Sequence, residues 1–135
     1  MPVSPLRVRR PRLPHADSTD PVASGAMHLT AWLALLLAGL LEIAWALGLK
    51  YSDGLTRVWP SVGMLMAIAL SFALLGLALK SLSFGTAYAV WTGIGAAGTM
   101  IIGMVAFGES ANVWRVTCLS LIIAGMVGLK LTSDH

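Results

Sequence analysis

The sequence predicts an all-α membrane protein whose chain crosses the bilayer four times. Of its 135 residues, 57% are hydrophobic and only 11% are charged, whereas an ordinary globular domain is about a quarter charged. The mean hydropathy is +0.81. The charges also lie unevenly, with six of them among the first 20 residues, so long uncharged stretches remain in the rest of the chain. This composition excludes a water-soluble enzyme, a nucleic-acid-binding domain and a disordered chain.

Residues 1–26 form a separate segment in this prediction. Five of the six prolines lie there, beside arginine, aspartate and serine. The apolar residues therefore show neither the spacing of a helix nor that of a strand. We expect a disordered, basic and proline-rich tail. The alternative is that translation begins at Met27 and that this segment is a misassigned start.

Four apolar stretches follow, and each predicts a membrane helix because polar backbone in lipid must satisfy its hydrogen bonds within the helix. The first stretch has 18 residues from Trp32 to Leu49, or about 27 Å of helix, and its one charge is Glu42. Short links make consecutive helices antiparallel neighbours. Residues 27–135 are therefore expected to form one transmembrane domain. Its helices cover about 31–50, 59–79, 83–107 and 113–131.

Lysine and arginine are divided almost evenly between the two ends of the predicted bundle. Lys80 and Lys130 belong to one end, and Lys50, Arg57 and Arg115 belong to the other. The positive-inside rule therefore gives no decisive orientation. The chain can insert both ways, which makes a dimer of oppositely oriented copies possible. A reporter at the carboxyl end is then expected on both faces of the membrane.

Glu42 is the only charged residue near the middle of a predicted span. An ionisable side chain at that depth is costly and indicates a functional site. No basic residue within the spans can neutralise it, which favours a proton or a visiting cation as its partner. The alternative is a protonated carboxylic acid that hydrogen-bonds a neighbouring helix. Gly39 and Trp45 lie on the same helical face, the first leaving room for a ligand to approach.

The second and third helices contribute further candidates. Tyr88 and Trp91 share one face of the third helix, where such aromatic pairs either pack or line a pocket. Gly93 and Gly95 allow this helix either to bend or to pack closely. Ser71 is the hydroxyl near the middle of the second helix, and it bonds either its own backbone or a neighbouring carboxylate.

The fourth helix carries a stripe of small residues at four-residue steps, which suits close contact between helices of a dimer. These residues are Ser120, Ala124 and Gly128. The lone Cys118 is expected to be a packed thiol. Because the spans contain no Ser/His/Asp, paired metal-ligand or phosphate-cradling pattern, we expect neither an enzyme nor a metal or cofactor site.

Three ordered sequence runs closely resemble the small multidrug resistance family, and within it the guanidinium-exporter subtype. They are GLLEIAWALGLK at 39–50, GTAYAVWTGIG at 85–95 and GESA at 108–111. The resemblance extends from residue 27 to the carboxyl end. Ser83-Phe84 departs from the Pro-Val that the family pattern has before the second run, at a helix entrance.

The resemblance implies an antiparallel homodimer of four-helix subunits in the inner (plasma) membrane that exchanges protons for guanidinium-type cations, without a cofactor. The Glu42 side chains of both copies are implied to bind protons or substrate alternately in one shared pocket. The other pocket-lining residues are then Gly39, Trp45, Ser71, Tyr88 and Trp91.

Two alternative functions remain at this stage. The first is export of quaternary ammonium and other drug cations by the same fold. The drug-exporting branch of the family typically has a small residue at the position of Trp45, so this tryptophan favours the guanidinium branch. The second alternative is a membrane scaffold that transports nothing, in which Glu42 only specifies helix pairing.

Overall fold

The computed structural model describes residues 21–133, within which the chain forms four α-helices joined by short links. All four helices are long and apolar enough to cross a bilayer. This confirms the predicted all-helical, multi-pass membrane architecture. Residues 1–20 and 134–135 lie outside the described part. The helices are α1 (Pro21–Tyr51), α2 (Val58–Ala78), α3 (Phe84–Ala106) and α4 (Val113–Ser133).

α1 begins at Pro21 rather than near residue 31, so the helix includes residues 21–26, which the sequence placed in the tail. Proline fits the first turn of a helix because its missing N–H would have no partner there. The Thr30 hydroxyl donates to the Ala26 carbonyl at 2.8 Å, a bond along the helix itself. The expectation of disorder is therefore wrong for residues 21–26. For the preceding residues it falls outside the described part.

α1 is the central helix of the core. It packs against both α2 and α3, whereas the contact between α2 and α3 is narrow. Small side chains on its buried face let the neighbouring helices approach closely, with Leu35 fully buried among them. The small residues are Ala31, Ala34 and Ala38.

α4 lies at the edge of the described bundle. Its backbone lies close to α3 alone, and Leu119 is its one buried residue within the described range. The predicted small-residue stripe of Ser120, Ala124 and Gly128 is exposed along its length. Cys118 is exposed too, so the expectation of a packed thiol is wrong. The face of α4 that carries the small-residue stripe has no protein neighbour among residues 21–133.

Lysines mark the two ends of the bundle. At one end the Lys50 ammonium lies 3.7 Å from the centre of the Phe107 ring, next to the α1–α2 and α3–α4 links. At the other end the Lys130 ammonium lies 4.6 Å from the Trp32 ring. Lysines at such positions bury their apolar stems and keep their charge near water. We refer to these as the Lys50 end and the Lys130 end.

Candidate functional site

A cleft of about 490 Å³ lies between α1 and α3, toward the Lys50 end of the bundle. Glu42, Trp45 and Ala46 line it from α1, and residues of α3 form the opposite wall. Glu109 of the α3–α4 link and Arg115 of α4 lie at its mouth. The α3 wall consists of Thr92, Gly95, Ala96, Thr99 and Met100. The cleft thus places one membrane-buried acidic residue among apolar and hydroxyl-bearing neighbours.

Glu42 reaches α3 because residue 95 is a glycine. Gly95 is buried, and a Cβ built on it would lie only 2.8 Å from the Cγ of Glu42, with the carboxylate nearer still. Any side chain at this position would have to displace the Glu42 carboxylate. Gly98, one turn further along, similarly accommodates the side chain of Ile43. These two glycines hold the acidic segment of α1 directly against α3.

Two polar atoms in the cleft are buried without a hydrogen-bond partner among the described residues. They are Oε2 of Glu42, an acceptor, and Nε1 of Trp45, a donor. A buried polar atom without a partner is unfavourable by about 1–3 kcal/mol, and more for a charged group. The two residues lie one helical turn apart on α1 and line the same cleft.

Ser71 and Trp91 form a hydrogen-bonded junction behind the cleft. The Ser71 hydroxyl donates to the Ala38 carbonyl at 2.8 Å and accepts the indole N–H of Trp91 at 3.1 Å. Both residues are buried, with Ser71 fully enclosed and Trp91 5% exposed. The junction connects α1, α2 and α3. Ser71 therefore bonds the backbone of a neighbouring helix, and neither of its hydrogen bonds reaches a carboxylate.

Tyr88 lies on the outer side of this junction. Its ring is 5.4 Å from that of Trp91 in an edge-on arrangement and stacks on Phe84 at 5.9 Å. Tyr88 is 47% exposed, so one side of the ring has no neighbour in the described part of the chain. Neither Tyr88 nor Trp91 lines the cleft that contains Glu42. Both lie nearer the Lys130 end of α3.

Two predicted glycines serve close packing. A Cβ on Gly39 would lie 2.6 Å from the Ile94 side chain of α3, so Gly39 is a contact between helices rather than part of the cleft wall. Gly93 lies against Met126 of α4 in the same way. α3 continues as one helix through this segment. Of the two alternatives for Gly93, bending or close packing, the structure has close packing. Of the predicted pocket-lining residues, only Glu42 and Trp45 face the cleft.

The sequence-based prediction missed the two residues at the cleft mouth. Nη1 of Arg115 lies 3.2 Å from Oε2 of Glu109, and it also donates to the Ser110 carbonyl at 3.2 Å. The Glu109 carboxylate rests on Gly103, where a Cβ would lie 2.9 Å from its Cδ. The spacing of the glycines in the sequence could have indicated this region, because Gly95 and Gly103 lie about two turns apart on one broad face of α3.

Sequence comparisons match the helices that form this cleft. A family model described as Small Multidrug Resistance protein matches residues 30–122. A guanidinium exporter of Yersinia pseudotuberculosis is 59% identical over 103 residues, which cover 76% of this chain and 99% of that protein. The guanidinium exporters of Escherichia coli (strain K12) and Proteus vulgaris are 55% and 53% identical over 103 residues. These matches cover 76% of this chain and 98% and 99% of those proteins.

Proposed function

The chain belongs to the small multidrug resistance family, and we propose that it exports guanidinium and small substituted guanidinium cations in exchange for protons. The observation that carries this proposal is the Glu42 carboxylate, whose buried Oε2 has no partner within the described protein. The names of the relatives support the substrate class. The family makes the chain a membrane transporter and not an enzyme.

The cleft suits a small planar cation. A carboxylate accepts two parallel N–H bonds from a guanidinium, and this paired geometry is more specific than attraction between point charges. Trp45 lies one turn after Glu42 and lines the same cleft, so its ring provides a flat surface for the cation. We infer that Glu42 binds the charge and that Trp45 selects for shape.

Proton coupling follows from competition for one carboxylate. Glu42 can hold a proton or a cation, but the two cannot occupy the same oxygens together. An empty, charged carboxylate inside the membrane is the costly state. Each departing cation is therefore replaced by a proton, and each departing proton by a cation. This competition couples the two fluxes without a second coupling site.

We propose that the working unit is an antiparallel homodimer. In one chain the cleft lies between two helices, α4 presents its small residues outward, and Tyr88 is half-exposed. A second copy in the opposite orientation would bring another Glu42 to a shared pocket and cover these surfaces. The nearly even distribution of lysine and arginine between the two ends supports insertion both ways.

Exchange in proteoliposomes tests the proposed function. A pH gradient should drive guanidinium transport by the purified protein. Glu42→Gln should lower the rate at least about thirtyfold because its amide carries no negative charge and cannot bind and release a proton. Asp53→Asn, which removes a carboxylate from the exposed α1–α2 link, is the matched control and should retain the normal rate. Normal exchange by Glu42→Gln would refute the mechanism. No binding or exchange by the wild type would favour a scaffold.

A further inference from the structure

The cleft has a second carboxylate at its mouth, and a guanidinium group is already bound to it. Nη1 of Arg115 contacts Oε2 of Glu109 at 3.2 Å, and the two side chains are 42% and 44% exposed. The other oxygen of Glu109 accepts no hydrogen bond from the described residues. Because exposed ion pairs are weak, this one can open and re-form readily.

The two carboxylates of the cleft are placed by α3 in the same manner. Glu42 rests on Gly95 and Glu109 rests on Gly103, both buried glycines. The eight-residue spacing corresponds to about 12 Å along the helix. Thr99 lines the cleft between them. A cation entering from the Lys50 end would thus meet Glu109 first and Glu42 about two helical turns deeper.

The Glu109–Arg115 pair is not the only contact that holds the link in which it lies. The start of α4 is capped independently, because the Asn112 side chain accepts the Arg115 backbone N–H at 2.9 Å. Gly108 makes the preceding turn with a φ of +67°, a conformation that glycine adopts freely. Arg115 Nη1 also donates to the Ser110 carbonyl at 3.2 Å, so the side chain keeps a backbone partner when it leaves Glu109.

We propose that Glu109 is a second cation-binding site for the substrate, and that the Arg115 guanidinium is its resident ligand, which the substrate guanidinium displaces on its way to or from Glu42. Both cations present the same planar set of N–H donors. Arg115 engages one carboxylate oxygen, whereas a free guanidinium can engage both. The inference rests on the proposed function, because it assigns a second binding step to the same substrate.

The decisive experiment compares the Michaelis constants for guanidinium exchange of two variants in proteoliposomes. Arg115→Gln removes the competitor and should lower KM about two- to fivefold. Glu109→Gln removes the site and should raise KM by a similar factor. The double variant should behave like Glu109→Gln alone. A pair that only stabilises the link predicts instead that both single variants shift KM and melting temperature in the same direction.

Matched controls separate this effect from general surface charge. Arg57→Gln and Asp53→Asn remove the same charges from the α1–α2 link at the same end and should change KM less than about twofold. If Glu109→Gln does not fold, Glu109→Asp replaces it and should raise KM by a smaller factor. Single-variant shifts of the same sign, or none beyond the controls, would overturn the second site. Absence of wild-type exchange would instead refute the proposed function.

Discussion

The two halves of α3 differ in what they pack against. In the half nearer the Lys130 end, Trp91 is buried and donates its indole N–H to Ser71, while the buried Nε1 of the neighbouring Trp32 has no partner among the described residues. In the half nearer the Lys50 end, glycines lie under two carboxylates, and Oε2 of Glu42 has no partner among the described residues. The hydrogen bonds of Ser71 in the first half connect α1, α2 and α3. Glycines in the second half make room for the two carboxylates.

Among substitutions that test this comparison, the largest expected effect comes from filling the space at Gly95. Gly95→Ala places a methyl group where the Glu42 carboxylate lies, and guanidinium exchange should fall on the order of tenfold to a hundredfold because the carboxylate is displaced. Gly85→Ala is the control, since a side chain at this position of α3 meets open space. If Gly95→Ala exchanged guanidinium at the normal rate in proteoliposomes, the close packing of Glu42 on Gly95 would not matter for transport.

Substitutions in the half of α3 that contains Trp91 should lower stability more than they lower transport. Ser71→Ala leaves the Trp91 indole N–H and the Ala38 carbonyl without this partner, which should lower the free energy of unfolding by about 1–3 kcal/mol. Its effect on guanidinium exchange should be smaller than that of Gly95→Ala. Thermal melting in detergent measures the stability change.

Ser61→Ala is the matched control for that comparison, because the Ser61 hydroxyl bonds the carbonyl of Arg57 one turn earlier in the chain. It should melt close to the wild type. Suppose that Ser71→Ala melted like the wild type but lost exchange. The half of α3 nearer the Lys130 end would then act in transport and not only in stability, which would contradict the comparison.

The smallest expected effect is on substrate selectivity. Trp45→Ala removes the flat wall beside Glu42 and should raise the KM for guanidinium about two- to fivefold. The enlarged cleft should also begin to exchange bulky quaternary ammonium ions. Trp59→Ala, at an 85% exposed position of α2, should change neither property. Wild-type exchange of bulky cations as readily as guanidinium would favour the drug-exporting alternative.

Much of the fold could be predicted from the sequence because a long apolar run in lipid has helix as its simplest solution. The expected ranges 59–79, 83–107 and 113–131 lie within two residues of α2, α3 and α4. The start of α1 was missed because Pro21 was counted against a helix, although proline is tolerated in a first turn.

The candidate site could be predicted only in part. Glu42 stands out as a single charge in an apolar run, and helical spacing places Trp45 beside it. Spacing does not reveal which helix a given face meets, so the burial of Trp91 against Ser71 could not be foreseen. Glu109 lies in a link, where no helical period applies, and its position depends on how the link folds over Gly103.

The most direct test of the central claim, that a proton and a guanidinium compete for Glu42, is guanidinium affinity measured against pH. Guanidinium itself stays charged from pH 5 to 8, so any change in affinity reports protonation of the protein. The Kd should rise as the pH falls, approaching about tenfold per unit where each cation must displace one proton. Binding in the wild type should release protons to the buffer. A Kd independent of pH across this range would contradict the claim.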